Sequence, residues 1–301
     1  MIAGTAVRTP LVRLEADAPA EIWLKLENLQ PIGSFKIRGA YNAIRRAARD
    51  ELVGGVLTAS AGNMAQGVAW AARELGIRAT VVAPDHIPET KRAAVERLGG
   101  TVVTVPVERW FQAIWDSRYP GVDGFFVHPV SDDRVMAGNG TIGLELVEDL
   151  PDFDAVLVPW GGGGLLSGIA SAVKALRPET RVYAVEPETA APVTASLAAG
   201  EPQTVEYVPS FVDGAGAHAL VPGMWERARP LLDGSFTVTL DETAAAVRLL
   251  AERARVVAEG AGALSVAAAL GRPVEGRVVC IVSGGNIDAA KLAAILSGRT
   301  P

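Results

Sequence analysis

Short apolar runs rich in β-branched residues alternate with longer stretches of helical period along most of this chain, and this alternation limits the fold more than any other feature. Strands that alternate with helices build mostly parallel sheets covered on both faces. We therefore predict an α/β fold of two domains, each a mostly parallel sheet flanked by helices. The predicted small domain covers residues 40–129, and the large domain covers residues 1–39 together with 130–301.

The periodicity also sets the expected elements. Strands are predicted over residues 55–60, 79–84, 101–106, 124–129, 155–160, 181–187, 235–240 and 277–285. Helices are predicted over residues 63–75, 88–98, 134–150, 242–258 and 287–296, together with one through Trp110 and Trp115 and one that ends near Arg177. Asp241 is the predicted N-cap of the 242–258 helix, because its side-chain oxygen can accept an unpaired backbone N–H.

Composition excludes several classes of protein. Of the 301 residues, 49% are hydrophobic and 21% are charged, which excludes disorder as the main state. With 28 Lys+Arg against 34 Asp+Glu the net charge is -6, so we predict neither a nucleic-acid partner nor attraction to an anionic membrane. The single cysteine excludes an intramolecular disulfide, and the three histidines lack the spacing of zinc ligands.

The longest uncharged run, residues 155–173, is long enough to raise the question of a membrane span. Pro159 and four successive glycines interrupt it, which favours a strand, a loop and a helix in succession. The first residues lack the apolar core of a signal peptide. We predict no membrane partner and a cytoplasmic location.

The four successive glycines, residues 161–164, stand between a predicted strand and a predicted helix. Backbone N–H groups and a helix N-terminus can converge on a phosphate at such a loop. The loop is neither G-x-G-x-x-G nor a Walker loop, which disfavours a dinucleotide and a P-loop nucleotide. Two interpretations remain: a phosphate-binding loop, or a tight strand–helix turn without a ligand.

A lysine and two further loops stand in comparable places. Lys36 lies in G-S-F-K just inside a helix start, where the helix dipole favours the neutral, nucleophilic amine. Taken alone, this position favours an ordinary solvated lysine over a reactive one. The loops over residues 60–63 and 283–286 each follow a predicted strand, as ligand loops of α/β proteins do. Together these features predict one small phosphate-bearing cofactor held between two domains.

Five motifs in this order resemble those of the fold type II pyridoxal-phosphate enzymes, whose fold is similar to the tryptophan synthase β subunit. They are K-L-E-N-L-Q-P-I-G-S-F-K-I-R-G-A (residues 25–40), T-A-S-A-G-N (58–63), H-P-V-S-D-D-R-V-M-A-G-N-G-T-I-G (128–143), P-W-G-G-G-G-L (159–165) and S-G-G-N (283–286). E-G-A-G-A (259–263) extends the similarity. Within that fold the chain resembles the threonine/serine dehydratase (ammonia-lyase) and serine racemase group.

The resemblance implies roles for single residues. Lys36 would hold pyridoxal 5'-phosphate as a Schiff base, with Phe35 packed beside the ring. Asn63 would hydrogen-bond the ring hydroxyl, and Ser283 would face the pyridine nitrogen. The phosphate would be bound by backbone N–H groups of Gly161, Gly162, Gly163, Gly164 and Leu165. The residues implied to bind the substrate are Ser60, Ala61, Gly62, Asn63 and Met64.

The implied reaction, in amino-acid metabolism, is β-elimination from threonine, serine or a related β-hydroxy amino acid, giving a 2-oxo acid and ammonia. Racemases of this group resemble S-S-G-N, whose second serine acts as an acid–base; Ala61 stands here instead, which disfavours racemisation. Met64 and Trp160 depart from the common dehydratase pattern and signify either altered packing or a pocket for a different β-hydroxy amino acid. The alternatives are β-replacement, an amino-acid racemase, and a non-catalytic protein that binds the cofactor or amino acids.

The resemblance also leads to expectations about a bound cation, the oligomeric state and a regulatory domain. Some members of the group bind a cation; Glu186 and Ala190 fit that pattern but Pro192 replaces the carboxylate, so we predict no metal. A homodimer is the common assembly of the group. Since the last predicted helix runs close to residue 301, we expect no C-terminal regulatory domain.

Overall fold

The computed structural model describes residues 4–301. Its strands are β1 (Leu11–Leu14), β2 (Ala20–Leu26), β3 (Val56–Ala59), β4 (Ala79–Pro84), β5 (Thr101–Val105), β6 (Phe125–Phe126), β7 (Ala155–Pro159), β8 (Arg181–Pro187), β9 (Gly234–Val238) and β10 (Gly276–Val282). Its α-helices are α1 (Lys36–Arg46), α2 (Asn63–Glu74), α3 (Glu89–Arg97), α4 (Val107–Asp116), α5 (Asp133–Asp149), α6 (Gly164–Leu176), α7 (Pro192–Ala199), α8 (Met224–Ala228), α9 (Leu240–Leu249), α10 (Gly260–Gly271) and α11 (Ala289–Leu296).

The strands form two sheets, and the α/β prediction is confirmed. The larger sheet has the order β1-β2-β10-β7-β8-β9, and the smaller has the order β5-β4-β3-β6. All neighbouring strands run parallel except β1 and β2. In a parallel sheet the carboxyl ends of the strands share one edge, and the loops that follow them are where α/β proteins bind ligands.

Two compact units divide the chain. Unit 1 comprises Gln30–Asn139 with the described residues up to Val7, and unit 2 comprises Arg8–Leu29 and Gly140–Pro301. The units differ from the predicted domains in holding residues 30–39 and 130–139 with the smaller sheet, because α1 packs on the first turns of α5. A Cβ at Gly39 would approach the side chain of Val135 to 2.7 Å. The domain assignment itself stays a prediction.

The core of unit 2 explains why a parallel sheet forms here. The last five residues of β10 are buried, as are all five of β7, because helices cover both faces of these central strands. Cys280 lies in β10 with no exposed surface, and burial raises the pKa of its thiol. α10 consists of glycine, alanine and a few larger apolar or small polar residues, and it is buried nearly all round.

Two sequence predictions about α9 were wrong. The helix begins at Leu240 with Thr239 as its N-cap, not Asp241, because Thr239 and Glu242 form a capping box: Glu242 N–H donates to Thr239 Oγ1, and Thr239 N–H donates to the Glu242 carboxylate. The helix also ends early. A π-helical turn over Leu250–Ala254 follows it, and Arg255, with φ 60°, adopts the left-handed conformation that stops a helix.

Other predicted elements lie within a few residues of their positions, and the strand predicted over 124–129 is reduced to two residues. Among residues 4–301, no helix is both long enough and apolar enough to cross a membrane.

Candidate active site

In unit 1, Lys36 is the first residue of α1. Its Nζ donates a hydrogen bond to the Pro129 carbonyl oxygen at 2.8 Å. The same Nζ lies 5.2 Å from the centroid of the Phe35 ring, which is a cation–π distance. Phe35 is the N-cap residue of α1 and makes no side-chain capping bond. The helix therefore begins with an amine whose position is set by a backbone carbonyl.

The 60–64 loop joins β3 to α2 at the carboxyl edge of the smaller sheet. Ser60 N–H donates to the Val82 carbonyl at 3.0 Å, and Gly62 N–H donates to Ser60 Oγ at 3.2 Å, so the loop is ordered by its own serine. Gly62 is the N-cap of α2 without a side-chain cap, and a Cβ there would meet nothing within 4 Å. The start of α2 is thus open on the side of Gly62.

Small residues bring the starts of α1 and α2 together. A Cβ at Gly67 of α2 would lie 3.2 Å from the backbone carbon and oxygen of Lys36, closer than packed side chains normally approach. Glycine at position 67 therefore allows the two helix backbones to touch beside the catalytic candidate. Unit 1 places Lys36, Phe35 and the 60–64 loop in one region, as the motifs suggested.

The strand β6 leads into a turn over residues 128–131 that contacts Lys36. Thr58 Oγ1 donates to the Val127 carbonyl at 2.8 Å and ties the turn to β3. His128 is buried, and burial, followed by the positive charge of Lys36, lowers its pKa below the ordinary value of 6.5. The ring is therefore neutral near pH 7, with its Nδ1 available as an acceptor.

In unit 2, the glycine loop over residues 161–164 joins β7 to α6. Gly163 has φ 94°, a conformation that glycine adopts without strain, and a Cβ there would lie 2.6 Å from Cη2 of the Trp160 ring. Trp160 is 1% exposed and fills the space beneath the loop. Glycine at position 163 is thus required by the turn and by the tryptophan, and the four glycines leave the start of α6 free of side-chain atoms from residues 161–164.

Ser283 directly follows β10 and is 4% exposed. β10 and β7 are neighbours with Cys280 opposite Leu157, so three residues further on Ser283 stands level with Trp160. A Cβ at Gly262 of α10 would approach the Gly284 carbonyl oxygen to 2.3 Å, which fixes α10 against the loop after Ser283. Unit 2 therefore brings Ser283 and the glycine loop to the same edge of one sheet.

The residues of unit 2 fit a phosphate group. The N-cap of α6, Gly163, makes no side-chain capping bond. Nε1 of the buried Trp160 and Oγ of the buried Ser167 have no hydrogen-bond partner among residues 4–301. A helix N-terminus preceded by glycines is a ready site for an anion with several acceptor oxygens.

Glu186, predicted only as a weak cation ligand, ends up on a helix N-terminus. Its Oε1 accepts from Val193 N–H at 2.9 Å, and its Oε2 accepts from Thr194 N–H and Thr194 Oγ1, each at 2.8 Å. Burial raises the pKa of Glu186 and these hydrogen bonds oppose the rise. Across residues 4–301 no group of three His, Cys, Asp or Glu side chains could hold a metal ion. The contacts of Glu186 do not fit a cation site, and the absence of a metal stays a prediction.

Met64 and Trp160, the two residues that differ from the common dehydratase pattern, are both buried. Met64 is 2% exposed and packs in an apolar cluster of unit 1 with Ala40 and Val68, among others. Trp160 supports the glycine loop from beneath. Both positions favour altered packing over direct contact with a substrate, and the assignment of Met64 as substrate-binding stays a prediction.

Comparison with known proteins identifies the family of this chain. The chain belongs to the family of pyridoxal-phosphate dependent enzymes, which matches residues 2–284. It is similar to an L-threonine ammonia-lyase of Thermotoga maritima, with 45% identity over 282 residues, 92% of this chain and 70% of that protein. The cofactor predicted from the motifs, pyridoxal phosphate, is thereby confirmed.

Solved structures extend the similarity to the fold. The structure of maize serine racemase matches with a TM-score of 0.88 and 32% identity, covering 99% of this chain and 94% of that one. A processed threonine deaminase isoform from Solanum lycopersicum also gives a TM-score of 0.88, with 34% identity over 97% of this chain and 84% of that chain. The predicted membership of the fold type II dehydratase and racemase group is confirmed.

Proposed function

We propose that this protein is a pyridoxal-phosphate-dependent ammonia-lyase that converts threonine, serine or a related β-hydroxy amino acid to a 2-oxo acid and ammonia. The observation that carries the proposal is the position of the Lys36 amine, 2.8 Å from the Pro129 carbonyl and next to the 60–64 loop, in which alanine stands at position 61. Such a site has an amine as base and no ionisable side chain at position 61. The named activity of the Thermotoga maritima relative supports it.

Separate residues are proposed to hold the cofactor, bind the substrate and transfer the α-proton. Lys36 would hold the cofactor through its amine, and its Nζ would take the substrate α-proton. The chemistry that pyridoxal phosphate would supply when bound is an electron sink, which would acidify that proton. The backbone N–H groups of residues 161–165 hold the phosphate, and the start of α2, with Ser60, holds the substrate carboxylate.

The electron balance of the reaction is simple. The electron pair of the Cα–H bond becomes the Cα–Cβ double bond as the β-C–O bond breaks, and the hydroxyl leaves with a proton as water. Hydrolysis of the released enamine consumes one water and yields the 2-oxo acid and ammonia. Ser283, assigned to the ring nitrogen, offers a neutral hydroxyl there, which suits an elimination that needs only brief stabilisation of the carbanion.

The test is a screen of L-threonine, L-serine and bulkier β-hydroxy amino acids for release of 2-oxo acid and ammonia in equal amounts. We expect Lys36→Ala to lower the rate by at least about 1,000-fold, because it removes both the cofactor link and the base. The control, Lys291→Ala, removes a lysine of α11 to which no role is assigned. Equal rates in the two variants, or no 2-oxo acid from any of the amino acids, would exclude the proposal.

Racemisation is the second candidate, because the maize serine racemase structure superimposes so closely. Chiral chromatography of the same reactions separates the two activities. Accumulation of the D-amino acid faster than 2-oxo acid would assign racemisation as the main activity. A homodimer and a cytoplasmic location stay predictions, and light scattering of the purified protein tests the first.

A further inference from the structure

The turn over residues 128–131 in unit 1 is organised around one ring nitrogen. Nδ1 of His128 accepts hydrogen bonds from Val130 N–H at 3.1 Å and from Ser131 N–H at 2.9 Å. Ser131 Oγ lies 3.1 Å from the same nitrogen. Two backbone donors on Nδ1 require that this atom carry no proton, so the neutral ring holds its proton on Nε2.

One of these donors shares a peptide plane with the group that contacts Lys36. Val130 N–H and the Pro129 carbonyl belong to the same trans peptide, so they lie in one plane and point in opposite directions. When His128 holds Val130 N–H, it fixes the orientation of that plane. The Pro129 carbonyl is then directed at Lys36 Nζ, which it meets at 2.8 Å.

Protonation of His128 would dismantle this arrangement. A proton on Nδ1 removes the acceptor for both backbone N–H groups, and the peptide plane is free to rotate. The charged groups that act on the ring are Lys36 of α1, which opposes protonation, and Asp132 of its own turn, which favours it. The Ile114 backbone carbonyl of α4 also favours the protonated ring, whereas burial disfavours it most strongly.

We infer that His128 is a positioning residue for Lys36: by accepting Val130 N–H it aims the Pro129 carbonyl at the Lys36 amine and so holds that amine where it takes the α-proton. The inference rests on the proposed role of Lys36. It assigns a function to the histidine of the H-P-V-S-D-D motif, which the cofactor and substrate assignments do not use.

The test compares two substitutions at position 128 in the holoenzyme. His128→Asn keeps an acceptor, because an asparagine side-chain oxygen accepts the N–H two residues on in the same way, but it cannot be protonated. His128→Phe keeps the ring volume and removes the acceptor. His86→Asn is the matched control, since His86 is a surface histidine with 70% of its side chain exposed.

At pH 8 we expect His128→Asn to keep kcat within about threefold of the wild type, and His128→Phe to lose about 10- to 100-fold with KM changed much less, because a misdirected base slows the proton transfer. The wild type loses kcat as the pH falls below 6.5, the ordinary pKa of histidine, since the folded value lies lower. That acid limb is absent in His128→Asn and unchanged in His86→Asn. A merely structural role would not remove it.

A second readout follows the peptide plane itself. We expect hydrogen–deuterium exchange of the Val130 and Ser131 amides to be slow at pH 8 in the wild type and in His128→Asn, and about tenfold faster in His128→Phe. Wild-type kcat in folded, cofactor-loaded His128→Phe would overturn the inference. Unchanged amide protection in that variant, or equal losses in His128→Asn and His128→Phe, would also overturn it.

Failure of the proposed function is distinguishable from failure of this inference. We expect Lys36 to exchange the α-proton of L-alanine with deuterium from solvent, although alanine has no β-hydroxyl to eliminate. If none of the screened β-hydroxy amino acids yields a 2-oxo acid, the proposed function fails. A loss of alanine exchange in His128→Phe that is rescued in His128→Asn still supports the positioning role, and equal exchange in both variants refutes it.

Discussion

β7 and β8 are neighbouring parallel strands, and each runs into a helix, but the two helix starts are completed in different ways. After β8, the buried carboxylate of Glu186 accepts two N–H groups and a hydroxyl at the start of α7. After β7, four glycines reach the start of α6, and its N-cap Gly163 offers no side-chain acceptor. The same partial positive charge of a helix start is used for stability in α7 and left for an anionic ligand in α6.

This difference shows how one sheet can carry both a scaffold and a site. A helix start that the protein caps itself should affect folding when the cap is removed and should not affect the cofactor. A helix start bordered only by glycines should show the opposite behaviour. The following substitutions test that contrast, in order of decreasing effect.

The largest effect is expected from Glu186→Ala. It leaves the buried N–H of Val193 and the partly buried N–H of Thr194 without their acceptor, and we expect the free energy of unfolding to fall by about 3 kcal/mol. Chemical denaturation measures the loss, and titration with pyridoxal phosphate should give an unchanged affinity. The control is Glu188→Ala, since Glu188 is an exposed carboxylate that accepts Leu240 N–H at 2.7 Å.

We expect Glu188→Ala to lose less than about 1 kcal/mol, because water can replace an exposed acceptor. Equal losses of unfolding free energy in the two variants would show that burial of the Glu186 carboxylate does not increase its contribution to stability. A large fall in cofactor affinity in Glu186→Ala would contradict the proposal that the start of α7 serves stability alone while the start of α6 binds the ligand.

Gly163→Ala reverses the expected readouts. The added Cβ would lie 2.6 Å from Trp160 Cη2 and 3.0 Å from Met224 Cε, so the loop must move. We expect cofactor affinity to weaken at least about tenfold, which corresponds to about 1.4 kcal/mol. Gly200→Ala is the control, because Gly200 also has a positive φ, 80°, but a Cβ there would meet nothing within 4 Å.

Gly200→Ala should cost about 1 kcal/mol of stability for the left-handed conformation and leave cofactor affinity unchanged. Comparing the two alanine variants separates backbone strain from displacement of the loop. Normal cofactor affinity in Gly163→Ala would argue against the glycine loop as the phosphate site.

The smallest effect belongs to α9, whose start is capped at the surface. Hydrogen bonding to Arg272, above all, lowers the pKa of Glu242 below its ordinary value of 4.5, so its stabilisation is present above pH 4.5 and is lost as the pH falls through the folded value. Glu242→Gln should cost about 1 kcal/mol at pH 7 and flatten this part of the stability curve. Denaturation at several pH values below 5 measures the slope; an unchanged slope in the variant would exclude Glu242 as its source.

The α/β class and the cofactor could be predicted from the sequence because both depend on local patterns: the alternation of strands and helices, and short motifs. It did not predict α10, because a helix buried nearly all round lacks an apolar stripe. β2 also escaped prediction. Lys25 is fully buried there and pairs with Glu145 at 2.6 Å, a partner that is distant in sequence and that no local pattern reveals.

The proposed site residues can likewise be predicted from the sequence only where they form a local motif. Lys36, Asn63, the glycine loop and Ser283 could be proposed as site residues from the sequence because their side chains, or the absence of side chains, form motifs. The Pro129 carbonyl was not found, since every residue has a carbonyl and only the fold directs this one at Lys36. Gly67 and Trp160 act through close packing, which depends on neighbours that the sequence does not list together.

The role of Lys36 is tested most directly by reduction of the holoenzyme with borohydride, followed by peptide mapping. The chain contains five lysines, Lys25, Lys36, Lys91, Lys174 and Lys291, and only Lys36 is assigned to the cofactor. We predict that the reduced cofactor is covalently bound to the peptide that contains Lys36 and that Lys36→Ala carries no label. Label on any of the other four lysines, or an unlabelled wild type that has bound the cofactor, would contradict the assignment of Lys36 as the lysine that holds the cofactor.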